Sequence, residues 1–175
     1  VASGNIQLTI MDVNRVPVLS GVPASAAVGE NSALTINTIT ASDLDVGVDG
    51  DSLTFSLEAV SGSLPSGLSV NAATGEVSWT PGFNQGGSYQ VRVKVTDSKG
   101  SVATSDPLII TVTNTNRAPI VNPIPDQTVA EGAALNSTGF SAGSFFSDPD
   151  GQTLIFNPIG ELPPGMNVST SGLVT

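Results

Sequence analysis

The feature that most constrains this chain is a short polar joint that occurs twice. Asn14-Arg15-Val16-Pro17 and Asn116-Arg117-Ala118-Pro119 each follow an extended, β-branched run, and their arginines lie 102 residues apart. A fixed period is the mark of a tandem array, in which each repeat is one folding unit. The period predicts the last strand of one module with its linker over 1–14, a complete module over 15–115, and the first half of a following module over 116–175. Other segments repeat in step. Thr128-Val-Ala-Glu131 parallels Ala27-Val-Gly-Glu30, and Leu162-Pro-Pro-Gly-Met166 parallels Leu64-Pro-Ser-Gly-Leu68. Asp148-Pro-Asp150 before Gly-Gln-Thr-Leu parallels Asp43-Leu-Asp45 before Gly50-Asp-Ser-Leu53, with a four-residue insertion in the first copy. Val174-Thr175 aligns with Val77-Ser78, so the later copy lacks counterparts of Trp79 and of the run 89–95.

Within the complete module the apolar period is two, not 3.6. Leu53, Phe55 and Leu57 alternate with polar residues, as do Val77 and Trp79. Tyr89, Val91, Val93 and Val95 alternate with Gln90, Arg92 and Lys94, the clearest strand in the chain. Ile6, Leu8 and Ile10 predict a half-buried strand ahead of the first joint. Asp97-Ser-Lys-Gly100 reads as a hairpin turn, and Leu108 to Val112 as the closing strand. Many short strands separated by Gly, Pro, Asn and Asp turns predict an all-β sandwich.

Charge and composition narrow the function. Charged residues are 11% of the chain, with fifteen acids against five bases and a net charge of −10. An acidic surface argues against nucleic acid and anionic membranes as partners. There is no cysteine and no histidine, which removes disulfides, thiol nucleophiles and His or Cys zinc sites. No apolar run reaches membrane-spanning length. An enzyme would need paired carboxylates or a Ser–Lys arrangement, and the acids here lie in turns; the chain reads as non-enzymatic.

The joint motif, Val-x-Glu at 28–30 and 129–131, Asp-x-Asp, Leu-Pro-x-Gly-Leu, Thr74-Gly-Glu-Val-Ser-Trp-Thr-Pro81 and Val95-Thr-Asp-Ser-Lys-Gly100 carry a resemblance. The chain resembles the putative-Ig or dystroglycan-type cadherin-like repeat of bacterial surface proteins. The resemblance covers the whole chain. It implies tandem Ig-like, cadherin-like Greek-key β-sandwiches of seven strands, an extracellular or bacterial cell-surface setting, and use as a structural or adhesion unit in large adhesins. Neighbouring repeat modules are the implied partners; homotypic adhesion through exposed edge strands is a separate reading. Relatives also accompany secreted polysaccharide-acting proteins, so a carbohydrate-binding module is the alternative.

The resemblance also implies calcium where modules meet, since Ca²⁺ takes six to eight oxygens that turn carboxylates and carbonyls can supply. Carried over residue by residue, the first joint uses Asp12 and Asn14 from the linker with Asp43, Asp45 and Asp97. The second uses Glu30, Asn114 and Asn116 with Asp148 and Asp150. The acidic Asp-Arg-Glu motif of classical cadherins has no counterpart, and the linkers carry Asn where more Asp is usual, which implies low affinity. The plainer reading is that residues 43–51 form a solvated turn, because Asp and Gly are ordinary turn residues. Trp79 is expected in the core rather than on a sugar-stacking face. The sequons at Asn136 and Asn167 read as chance.

Overall fold

The computed structural model describes residues 4–9, 11, 13–47, 50–132 and 140–175. The chain divides into two compact units, Val1–Thr115 and Asn116–Thr175. No helix among the described residues is long and apolar enough to cross a membrane.

The first unit is built from β1 (Val18–Ser20), β2 (Ser25–Gly29), β3 (Leu34–Ile36), β4 (Thr40–Ser42), β5 (Leu53–Ala59), β6 (Ser69–Val70), β7 (Val77–Trp79), β8 (Gly87–Asp97), β9 (Val102–Thr104) and β10 (Leu108–Thr113). One sheet runs β2-β10-β8-β5, with β9 also on β8. The facing strands are β3-β7-β6, with β1 and β4 paired beside them. β1 with β2, β3 with β4, and β9 with β10 are interrupted halves of three strands, so the module is a seven-strand sandwich, all-β as the periodicity predicts.

The interruptions have local causes. Gly21 has φ +73° and Pro23 removes a donor, which breaks the first strand. The second strand kinks beside it: Thr38 donates its hydroxyl to the Gly21 carbonyl at 2.7 Å. A Cβ on Gly21 would lie 1.9 Å from the Thr38 carbonyl oxygen. The two kinks therefore fit together only without a side chain there. They let β1 and β4 pair with each other while β2 joins β10 in parallel, from Ile109↔Ser25 to Thr113↔Gly29.

The core lies between the sheets. Val77 and Trp79 face Val91, Val93, Val95, Leu108, Ile110 and Val112, all nearly fully buried. Trp79 donates its indole N–H to the Ser66 carbonyl at 3.0 Å, and its ring meets Tyr89 edge-on with centroids 5.1 Å apart. Phe55 is covered by Gly75, whose φ is +75° and whose missing Cβ would stand 3.0 Å from the ring. That contact explains why the Thr-Gly-Glu turn carries glycine.

Two sequence readings change. Residues 4–9 form no strand, and Ile6 and Leu8 are 94% and 82% exposed. Alternation makes a half-buried strand only when a sheet offers a ladder partner, and none of the described strands lies beside them. β9 is an addition: Val102–Thr104 pairs with residues 94–96 although its three residues carry no period.

The second unit repeats the first half of the sandwich. β11 (Ile120–Val121) pairs with β13 (Phe146–Ser147), and β12 (Phe140–Ser141) with β14 (Leu173–Val174), around a 3-10 turn at Ala142–Phe145. Ile120↔Ser147 copies Val18↔Ser42, and the Val168↔Val174 bridge copies Val70↔Val77. Phe146 and Phe156 meet edge-on at 5.2 Å. Every buried hydrophobic side chain among the described residues belongs to the first unit. β8 and β10 supply six of those side chains, Val91, Val93, Val95, Leu108, Ile110 and Val112, and no strand among the described residues of the second unit corresponds to them.

Candidate cation corner and arginine clamps

At the end of the first unit where the Asn14-Arg15 joint meets the sandwich, turns from three places converge. Asp43 follows β4, Asp51 precedes β5, and Asp97 ends β8. One carboxylate oxygen from each lies within 4.8 Å of the other two. β5 and β8 pair in register Leu53↔Asp97, which sets Asp51 and Asp97 side by side.

Each acid is tied down by turn amides. Asp97 accepts from the Lys99 and Ser101 N–H groups at 2.9 and 2.7 Å through Oδ1, and from the Asn14 amide at 2.8 Å through Oδ2. Asp51 Oδ1 accepts from the Ser52 and Ser98 N–H groups and from the Ser98 hydroxyl. Asp43 Oδ1 accepts from the Asp45 N–H at 2.8 Å. Burial pushes the Asp97 carboxyl up, but hydrogen bonds from Asn14, Ser101 and Lys99 outweigh it and leave it below its ordinary value. The Ser98 hydroxyl is the main cause holding Asp51 low, against burial and the nearby Asp97 charge. Both acids are therefore ionised at neutral pH.

What remains is unpaired acceptor. Asp43 Oδ2, Asp51 Oδ2 and Asn14 Oδ1 are buried with no hydrogen-bond partner among the described residues. Buried polar atoms are ordinarily paired, and three orphaned oxygens beside three carboxylates form an all-oxygen, anionic donor set. Such a set suits a hard divalent cation and not a soft one.

The remaining predicted ligands fall elsewhere. Asp45 is turned to the joint arginine: it accepts from the Arg15 backbone N–H at 2.6 Å and from its guanidinium at 2.5 Å. The second unit holds the same arrangement. Asp150 accepts from the Arg117 N–H at 2.6 Å and from Nε at 2.8 Å, while Asp148 caps the Asp150 N–H at 2.8 Å as Asp43 caps Asp45. The Arg117 hydrogen bonds are the main cause holding the Asp150 carboxyl low.

Glu30 is buried after β2 and splits its oxygens between two segments. Oε1 accepts from the Gly86 N–H at 2.9 Å, and Oε2 from the Thr115 N–H at 3.0 Å and the Asn114 amide at 3.3 Å. Asn116 and Glu131 are exposed. Asp12 and Asn136 lie outside the described residues.

Sequence reasoning overlooked Asp51. Its signal was present: the insertion in the first copy is followed by Asp51-Ser52-Leu53 where the other copy has Gln152-Thr153-Leu154.

Comparison with known proteins agrees with the fold. The family described as "Putative Ig domain" matches residues 16–113. Protocadherin gamma-A7 of Homo sapiens is 32% identical over 125 residues, 69% of this chain and 13% of that protein. Cadherin-99C of Drosophila melanogaster is 31% identical over 166 residues, 90% of this chain and 10% of that protein. The chain thus spans about an eighth or less of these curated relatives. The crystal structure of Drosophila N-cadherin EC1-4 superposes with a TM-score of 0.51 at 19% identity, covering 92% of this chain and 40% of that one. With a seven-strand sandwich and a family match over more than half its length, the chain belongs to the putative Ig domain family, a cadherin-like, Ig-like β-sandwich module.

Proposed function

We propose that this chain is an extracellular spacer from a large surface protein of tandem repeats, in which a calcium ion at the Asp43–Asp51–Asp97 corner ties the linker to its module. The observation that carries the reading is the trio of buried, unpartnered oxygens on Asp43, Asp51 and Asn14. Asp43, Asp51 and Asp97 belong to the sandwich and Asn14 belongs to the linker. A cation held by both would neutralise clustered negative charge and penalise bending at the joint. Asp43, Asp51, Asp97 and Asn14 would hold it; Asp45, Glu30 and Asp150 are read as clamps rather than ligands. The parent we infer is a bacterial surface adhesin. The carbohydrate-binding alternative needs an exposed aromatic face, whereas Trp79 is 2% exposed and Tyr89 is bonded through its hydroxyl to the Gln85 carbonyl.

Thermal melts in chelator and in millimolar calcium test this. Ligand bound only by the folded state adds about 2.7 kcal/mol at a hundredfold excess over its dissociation constant. The melting temperature is expected to rise with calcium in the wild-type chain and to lose that rise in Asp51→Asn. An unchanged melt in both buffers would sink the calcium reading.

A further inference from the structure

We infer that the joint arginine is an internal countercation: Arg15 withholds Asp45 from metal ligation, and Arg117 does the same for Asp150. Two observations carry this. First, both oxygens of each aspartate are taken by its arginine. Asp45 accepts from the Arg15 N–H through Oδ2 and from the guanidinium through Oδ1. Asp150 repeats the pattern with Arg117, whose Nη2 also donates to the Pro149 carbonyl at 2.6 Å. The aspartate side chains are only 5% and 4% exposed, so neither carboxylate is a loose surface partner. Paired contacts of a guanidinium and its own backbone N–H hold both charge and direction, which an ammonium or a single hydrogen bond does not.

Second, the clamp is separable from the acidic corner. The second unit keeps Arg117, Asp148 and Asp150 in the same hydrogen-bonding arrangement, yet has Gln152 where the first has Asp51. The arginine therefore does not serve merely to offset the third acid. It neutralises the second aspartate of Asp-x-Asp inside each unit, with a charge that cannot dissociate or be chelated. The Asn-Arg-x-Pro motif then encodes how each linker enters its module regardless of cation supply. Any metal at the first corner is left to Asp43, Asp51, Asp97 and Asn14.

The inference predicts a gain that a purely structural ion pair would not give. Arg15→Gln keeps the backbone N–H bond and an amide donor but removes the charge, leaving the Asp45 carboxylate, two residues along the turn from Asp43, without its countercation. Calcium titrated into the full chain should bind Arg15→Gln about tenfold more tightly than wild type, or with one additional ion, because ligand charge tunes affinity. The variant should melt lower than wild type in chelator and recover in calcium. Arg15→Lys, which keeps the charge, and Arg15→Gln/Asp45→Asn, which removes the released acid, should show no gain. Equal destabilisation of Arg15→Gln in both buffers with unchanged calcium binding would overturn the inference. A wild type silent to calcium beside a responsive Arg15→Gln would overturn the corner reading and leave this one standing. A responsive wild type with no added response in the variant would do the reverse.

Discussion

At the scale of single residues, the acids of this chain divide by what their oxygens already hold. Glu30 is spent on backbone amides from two segments that are distant in sequence. Glu30→Ala leaves the Gly86 and Thr115 N–H groups without a partner beside a buried site, at roughly 1–3 kcal/mol for each unmade bond. A loss of about 3 kcal/mol is expected by urea denaturation, insensitive to calcium; a calcium-dependent loss would instead make Glu30 a ligand. Asp51, Asp97 and Asp150 act differently, because their folded carboxyls titrate below the ordinary value. As pH falls below about 4 the unfolded chain takes up protons at these positions before the folded chain does, so protonation pulls toward unfolding. Their stabilisation is complete above the unfolded-state value and is lost as pH drops through the lowered folded one. Urea midpoints measured from pH 6 down to pH 2 should decline in that window, and less steeply in Asp51→Asn. The acids were legible in the sequence as a group. Their division was not, because Asp45 and Asp51 differ only in what the fold brings to them, Arg15 to the first and the Ser52 and Ser98 donors to the second.

At the scale of elements, legibility followed the strength of the alternation. β8 has five inward positions in register, and its Val91, Val93 and Val95 are completely or almost completely buried as read. Val102–Thr104 is too short to show a period, and it pairs because the turn after Asp97 returns the chain to β8. Residues 6–10 carry good alternation, yet alternation alone does not supply a partner strand. The kink between β1 and β2 shows the opposite case, in which a single position decides an element. Gly21→Ala meets both a positive φ and the Thr38 carbonyl, so it cannot relax locally. It is expected to cost about 2–4 kcal/mol, more than the usual penalty for a strained backbone alone. Chemical denaturation would read this, and a cost below about 0.5 kcal/mol would mean the two kinks move independently.

At the scale of the whole molecule, the repeat was the most legible property of all. It reappears as shared pairing register, since Val18↔Ser42 and Ile120↔Ser147 are the same ladder position in two copies. The parallel pairing of β2 with β10 in the first unit has a mechanical consequence. Tension on a chain of such units pulls β2 through its leading end, which is reached from the Arg15 joint by way of β1 and the Gly21 kink, and β10 through its trailing end, which leaves at Thr115. The two strands point the same way, so opposed forces slide them lengthwise. All five ladder positions from Ser25 to Gly29 are then loaded together, not peeled one after another, and Glu30 pins the trailing end through Thr115. The module is thus braced against stretching along the line between the two ends of its chain.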